Sequence, residues 1–225
     1  MHSVADIFGS KQIVLVEAPA DTSITALLSL YDFDVKSNKW IKNFDSIPVI
    51  LGRNGLAQGK GLQQISITGM PSKIEGDGKS PAGIFYLRGG FGYGPQSTFP
   101  NPGFPYRQVT ESDICIDDTA STDYNKVRNE NGASYNSAEK MLRTDGLYKL
   151  GIFVGYNDEE IKRGNGSCIF IHIWKNKDTP TSGCTAMAEE NIIRLIRALR
   201  IEAKPIIIQL DSQNHKKFRD HYLIP

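Results

Sequence analysis

Short apolar runs alternate with clusters of Gly, Pro, Asn and Ser along almost the whole chain. Such runs read as strands, because β-branched and aromatic side chains suit a pleated surface and the clusters between them turn the chain. On that basis residues 12–18 (QIVLVEA) and 25–33 (TALLSLYDF) form the first two strands, followed by 47–52 (IPVILG), 62–68 (LQQISIT) and 83–88 (GIFYLR). Residues 113–118 (DICIDD), 147–156 (LYKLGIFVGY), 168–174 (CIFIHIW) and the run PIIIQL that opens at Pro205 complete the set. Between Gly89 and Tyr106 the chain holds five Gly and four Pro, so regular structure is not expected there. Residues 119–140 are polar and read as an excursion or a short helix.

One stretch carries the helical period. In MAEENIIRLIRALRIEAK, Ile192, Ile196 and Leu199 share a stripe, with Ile193 and Leu195 beside it. Glu189 and Glu190 fall early and Arg197, Arg200 and Lys204 late, as the helix dipole favours. Strands therefore greatly outnumber helices. The expected fold is mainly β: an antiparallel sandwich or barrel with one packed helix near the C-terminus and long loop excursions. A doubly wound parallel fold needs alternating helices, which the pattern lacks.

Composition narrows the field only modestly. With 225 residues, 40% of them hydrophobic, the chain suits a single domain spanning 1–225. Within it, residues 1–44 supply N-terminal strands, 45–210 the central region and 211–225 a C-terminal tail. The 26 basic and 25 acidic residues are interspersed, with a net charge of +1, so no nucleic-acid partner is indicated. No apolar run approaches the roughly 20 residues of a membrane span. The first 20 residues show no basic stretch leading into an apolar one, so no signal peptide is visible. A cytoplasmic location and an envelope location after removal of a leader both stay open. Three cysteines, Cys115, Cys168 and Cys184, are too few for a disulfide scaffold, and at least one is unpaired within the chain.

The candidate chemistry lies in CIFIHIWKNKDTPTSGCTAM, residues 168–187. Strand alternation puts Ile169, Ile171 and Ile173 on a core face and Cys168, Phe170, His172 and Trp174 on the other. A zinc site using both Cys168 and His172 fails on length. Four strand residues span about 13 Å, far beyond what two ligands of one zinc allow. A Cys184–His172 pair fares better, because the intervening loop is long enough to fold back. Gly183 permits a tight turn whose backbone N–H groups converge beside the thiol, an oxyanion site. A nearby helix N-terminus and an imidazole would favour the thiolate of Cys184, although Glu189 and Glu190 oppose it. The bland alternatives are a satisfied sheet histidine and an inert buried cysteine.

These residues resemble the signature of the L,D-transpeptidase catalytic domain, the YkuD type: a strand His, a variable loop, then Ser/Thr, any residue, Gly and Cys. Here they are His172, Thr181, Ser182, Gly183 and Cys184. GDGKSPAGIFYL (76–87) resembles the family's Lys-Thr-Pro-x-Gly-x-Phe segment, through Lys79, Ser80, Pro81, Gly83 and Phe85. LYKLGIFVGYN (147–157) resembles the strand before the His. The matches cover roughly residues 45–210. The chain departs from the pattern at Ile173, Ser182, Thr185 and Ala186; the last stands where many members carry an Arg that shapes the substrate site.

The resemblance implies an enzyme needing no cofactor or metal, with peptidoglycan stem peptides as its partners and the cell envelope or periplasm as its compartment. Cys184 is then the nucleophile and His172 its base, with Gly183 and Cys184 N–H groups as oxyanion donors and Thr181 and Ser182 in support. Tyr156, Asn157, Trp174 and Arg143 are substrate-wall candidates, and Lys79 a further candidate for a stem carboxylate. An envelope location makes Cys115 and Cys168 candidates for a disulfide, against the alternative of two small buried hydrophobes. The competing functions are a carboxypeptidase or stem-peptide amidase on the same scaffold, and a non-catalytic envelope binding module in which Cys184 is inert.

Overall fold

A computed structural model describes residues 4–225. After a short helix α1 (Val4–Phe8) come β1 (Gln12–Ala18), β2 (Thr25–Asp34), β3 (Lys39–Ile50), β4 (Leu56–Gln58) and β5 (Ser80–Gly92). The middle of the chain supplies β6 (Tyr106–Gln108), β7 (Asp113–Ile116), β8 (Val127–Asn129) and β9 (Ala138–Lys140). Then follow β10 (Leu150–Val154), β11 (Phe170–Ile173), β12 (Thr185–Met187), helix α2 (Glu189–Ala198), β13 (Ile206–Asp211) and helix α3 (Ser212–Tyr222).

The sheet runs β10-β11-β12-β3-β2-β1-β13-β5, and β5 pairs back onto β10, so the strands close into a barrel. Closure leaves no free edge on that ring. Strands β4 and β6 lie alongside β5. Most ring pairs are antiparallel, but β1–β13 and β11–β12 are parallel. The fold is mainly β, as the alternation implies. Ile13, Ile84, Ile171, Ile207 and Leu210 are fully or almost fully buried in one core, with Ile192, Leu195 and Ile196 of α2 against it.

Several elements differ from the sequence reading. Residues 62–68 are not a strand; their backbone is taken up by α3 and its neighbours instead. Gln64 N–H donates to the Tyr222 hydroxyl at 2.5 Å, and Thr68 N–H to Asn214 Oδ1 at 3.0 Å. Asn214 Nδ2 donates back to the Thr68 carbonyl at 3.0 Å. The alternation of Leu62, Gln64 and Ser66 mimics a strand, but side chains of the tail satisfy the backbone that a ladder would otherwise hold. The tail is itself helical, a second C-terminal helix beside the one foreseen. Asp211 caps it by accepting from Asn214 N–H at 2.8 Å, and Asn214, His215, Phe218 and Tyr222 are its buried residues.

The Gly-rich run is also more ordered than its composition suggests. β5 continues through Gly89–Gly92 and pairs with β10. A Cβ at Gly90 would sit 2.2 Å from the Phe99 ring, so the missing side chain lets the aromatic cover the strand. The polar excursion 119–140 carries β8 and β9, which flank β7 in a separate three-stranded sheet.

Candidate functional site

The parallel pair β11–β12 positions the two residues singled out. Ile171 lies opposite Thr185 and His172 opposite Ala186, so Cys184, just before β12, falls level with Phe170. In a parallel pair, residues in register point to the same face. Cys184 and His172 therefore share a face, two residues out of step on neighbouring strands. At about 3.3 Å per residue and about 4.8 Å between strands, their Cα atoms sit about 8 Å apart, close enough for the side chains to converge. Both line one cavity of ≈ 520 Å³, together with Trp174, Thr181, Ser182 and Gly183.

Gly183 holds the turn before Cys184 at φ +152, where a Cβ would come within 3.0 Å of the Lys79 carbonyl, so a side chain there is strained. Thr181 ties the turn together: its hydroxyl donates to the Cys184 carbonyl at 2.6 Å and accepts from Gly183 N–H at 3.1 Å. Ser80, fully buried, donates to the same Cys184 carbonyl at 3.2 Å and accepts from Gly52 N–H at 2.9 Å. The segment around Ser80 thus supports the cysteine turn from beneath.

The sulfur of Cys184 accepts from Phe170 N–H at 3.3 Å and donates to the Cys168 carbonyl at 3.4 Å. Burial, reinforced by the nearby Glu139, pushes the Cys184 thiol up to about 12. The resting sulfur is a protonated thiol, contrary to the thiolate expected from a neighbouring imidazole and a helix N-terminus. Helix α2 begins only beyond β12, too far along the chain to polarise the sulfur, whereas burial acts on it directly.

His172 is also buried. Its Nδ1 lies 2.8 Å from the Ile173 carbonyl. A carbonyl only accepts, so Nδ1 carries the proton and Nε2 keeps a lone pair. Burial pulls the imidazole down to about 4, with Arg143 adding to the effect and the Ile173 contact opposing it. The ring is neutral at pH 7. The Ile173 carbonyl thus orients the ring.

A second wall faces this pair. Cys115 and Cys168 form a disulfide, leaving Cys184 free. The bridge ties β7 to the residues entering β11. Cys168 adopts a left-handed backbone, φ +55, and its N–H donates to Asn125 Oδ1 at 2.9 Å. Glu139, opposite Cys115 in the small sheet, accepts from the Tyr148 hydroxyl at 2.6 Å. Tyr148 packs edge-on to His172, with ring centroids 5.0 Å apart. Arg143 stacks over the Tyr148 ring at 5.1 Å while forking onto Asp145.

The other sequence candidates separate clearly. Trp174, Thr181, Ser182 and Arg143 line the cavity. Tyr156 and Asn157 lie outside it. Tyr156 packs edge-on against Phe85 and its hydroxyl donates to the Asn165 carbonyl, while Asn157 Nδ2 donates to the Lys162 and Gly166 carbonyls at 3.0 Å. Their own carbonyls accept from Asn125, so they brace the turn that presents Cys168. Lys79 donates to the Asn54 carbonyl at 2.5 Å. Gly183 N–H is occupied by Thr181, so it is not a free oxyanion donor here.

Sequence reasoning passed over Arg53, Glu75, Asp117, Glu139 and Tyr148, all on the cavity wall. Arg53 Nη1 donates to Ser182 Oγ at 3.2 Å, and Asp117 Oδ1 is buried without a hydrogen-bond partner. Tyr148 sits inside the quoted segment 147–157, but the strand signal there drew attention to its far end.

The L,D-transpeptidase catalytic domain model (YkuD) matches residues 35–208, most of the chain and the whole of this site. The chain belongs to that family. Neither a curated protein nor a solved structure matches it. The L,D-transpeptidase family consists generally of enzymes acting in peptidoglycan metabolism at the cell envelope. Among the described residues no helix is long and apolar enough to cross a membrane.

Proposed function

We propose that this chain is a cysteine-dependent acyltransferase acting on peptidoglycan stem peptides, with Cys184 as nucleophile and His172 as its base. The observation that carries this reading is the shared cavity of a free cysteine and a neutral histidine whose Nδ1 is committed to a carbonyl. With the thiol near 12 and the imidazole near 4, a resting ion pair is disfavoured. Proton transfer is therefore coupled to attack. As Sγ bonds to the substrate carbonyl carbon, its proton passes to His172 Nε2, and the carbonyl electron pair moves to oxygen. The Cys184 N–H meets that oxyanion, since Gly183 N–H is held by Thr181. His172 then returns the proton to the leaving amine, and an amine or water resolves the acyl-enzyme.

The cavity carries carboxylates at Glu75, Asp117 and Glu139 and cations at Arg53 and Arg143, which suits a substrate bearing both amines and carboxylates. Arg53 takes the place of the Arg that many members carry where Ala186 stands here, binding a stem carboxylate beside Ser182. The Cys115–Cys168 disulfide supports an oxidising envelope compartment. The chain acts as a single unit across 1–225, with α3 bracing the loop at 62–68.

The test is incubation of the purified protein with defined muropeptides, with and without an amine acceptor, followed by mass spectrometry beside Cys184→Ala. Cross-linked dimers support transpeptidation. Loss of one D-amino acid without dimers assigns the hydrolytic variant of the same chemistry. Turnover by Cys184→Ala equal to wild type overturns the mechanism.

A further inference from the structure

We propose that the outer face of β1, β2 and β3 carries a saccharide-binding groove, continuous with the catalytic cavity, that holds the glycan strand from which the reacting stem peptide hangs. The inference rests on the peptidoglycan reading and deepens it from the peptide to the sugar.

Strand alternation builds the groove. Ala26, Leu28 and Leu30 of β2 enter the main core, so Leu27, Ser29 and Tyr31 point out of the barrel. These three line a second cavity of ≈ 690 Å³, larger than the catalytic one. The loop between β11 and β12, which leads to Cys184, supplies part of its wall through Trp174. Trp174 lines both cavities. It lies two residues beyond His172, about 7 Å along the chain, so about two residues of extended peptide bridge the groove to the chemistry.

The lining fits a saccharide. Tyr31 and Trp174 offer aromatic surface on which the C–H face of a pyranose ring can stack, and hydroxyls stand beside it. Ser29 Oγ and Ser46 Oγ lie 3.0 Å apart, brought together by a bulge in which residues 44–47 of β3 oppose 28–30 of β2. The two hydroxyls hold two protons, and one serves the bond between them. The other has no acceptor among the described residues and is left for a ligand hydroxyl. Ser29 is only 6% exposed, so the pair rises from the floor of the groove. Leu27, 52% exposed, adds an apolar patch next to these polar groups.

Other ligand classes fit less well. Lys42 and Lys177 are balanced by Glu17 and Asp178, so no net positive field selects a phosphate or a nucleic acid. β1, β2 and β3 are each paired on both sides, so the groove offers no strand edge to an extended peptide. A lipid or an amphipathic helix needs an unbroken apolar floor, which Ser29 and Ser46 interrupt. Continuity across Trp174 points to the source of the sugar, because a stem peptide is covalently joined to its glycan strand.

The experiment has two arms. Chitotetraose, an oligomer of N-acetylglucosamine, is titrated by calorimetry into Cys184→Ala protein, so that no turnover intervenes. Leu27→Arg and Tyr31→Ala are added to that background, with thermal melts confirming that each is folded. Each should weaken saccharide binding at least about fivefold. In protein that keeps Cys184, a disaccharide-linked stem peptide is compared with the same peptide without sugar. kcat/KM should favour the sugar-bearing form about tenfold in wild type and less than about threefold in either variant.

No chitotetraose binding, or equal affinity with and without the groove substitutions, overturns the proposal, as does a wild-type ratio of one. If Tyr31→Ala fails to fold, Leu27→Arg decides, since its side chain starts half exposed. Sedimentation showing wild type self-associated and Leu27→Arg monomeric assigns the groove to a second copy of this chain and overturns the glycan. The two readings fail separately. Saccharide binding that the substitutions weaken, without turnover of any muropeptide, overturns the catalytic reading alone. Cys184-dependent turnover with a ratio of one and no saccharide binding overturns the groove alone.

Discussion

The two walls of the cavity differ in how they are built. One is made of neighbouring strands, β11 and β12, separated in sequence by a single loop; it holds His172, Cys184 and Thr181. The other comes from residues 115–148 and from Arg53; it holds the disulfide, Glu139, Tyr148 and Arg143. In the proposed reaction the first wall provides the reacting atoms. The second provides the environment: burial, neighbouring charge and the covalent tie that fixes Cys168 beside the thiol. A short motif can encode reacting groups, whereas their proton affinities depend on what packs over them.

The comparison breaks most directly at the first wall. His172→Ala should lower turnover by at least about 10³-fold while leaving the melting temperature near that of wild type, since the base is lost but the sheet is not. A small loss would mean that another group takes the thiol proton. The second wall should show the opposite balance. Replacing Cys115 and Cys168 together with Ala should cost about 2–5 kcal/mol in denaturant unfolding, with a lesser fall in turnover as the Cys168 carbonyl loses its anchor. Unchanged stability would show that the small sheet is held by its packing alone.

Acid should sharpen the contrast. The folded His172 is depressed from 6.5 to about 4, so between those values the unfolded chain binds a proton that the folded chain does not. The stability associated with neutral His172 is fully present above 6.5 and is lost as pH falls toward 4, by about 3 kcal/mol. Unfolding free energies across that window should fall less steeply in His172→Gln, and parallel curves would contradict the assignment. The smallest effect is expected at Arg53, on the rim. Arg53→Ala should raise KM for a carboxylate-bearing stem peptide about three- to tenfold with little change in kcat, the signature of binding shared by ground and transition states. A fall in kcat instead would place Arg53 nearer the chemistry.

How much of this was legible follows the same division. Alternation in CIFIHIW put His172 opposite the isoleucines, and the structure buries Ile169 and Ile171 in the main core while Cys168, Phe170 and Cys184 join a second cluster. The stripe Ile192, Ile196 and Leu199 is buried as its spacing implies. Residues 62–68 misled because alternation describes which way side chains point and not whether a partner strand exists. The tail held no comparable signal, since α3 is polar apart from a few anchors such as Phe218 and Tyr222, and it gains its place by docking.

At the site, the Gly-Cys turn and the histidine were readable because strand geometry fixes them over a few residues. Glu139 and Tyr148 were not, because nothing in their local sequence marks a contact made across the fold. By itself, then, the sequence determined a mainly β chain, the face on which His172 lies and the identity of the candidate nucleophile. Only the tertiary structure decided that β11 and β12 run parallel, that Cys115 closes onto Cys168, and that the thiol rests protonated beside a neutral imidazole. Side-chain alternation is a property of a few consecutive residues, whereas desolvation and charge at one atom are summed over neighbours that the closed barrel and the small sheet bring in from distant parts of the chain.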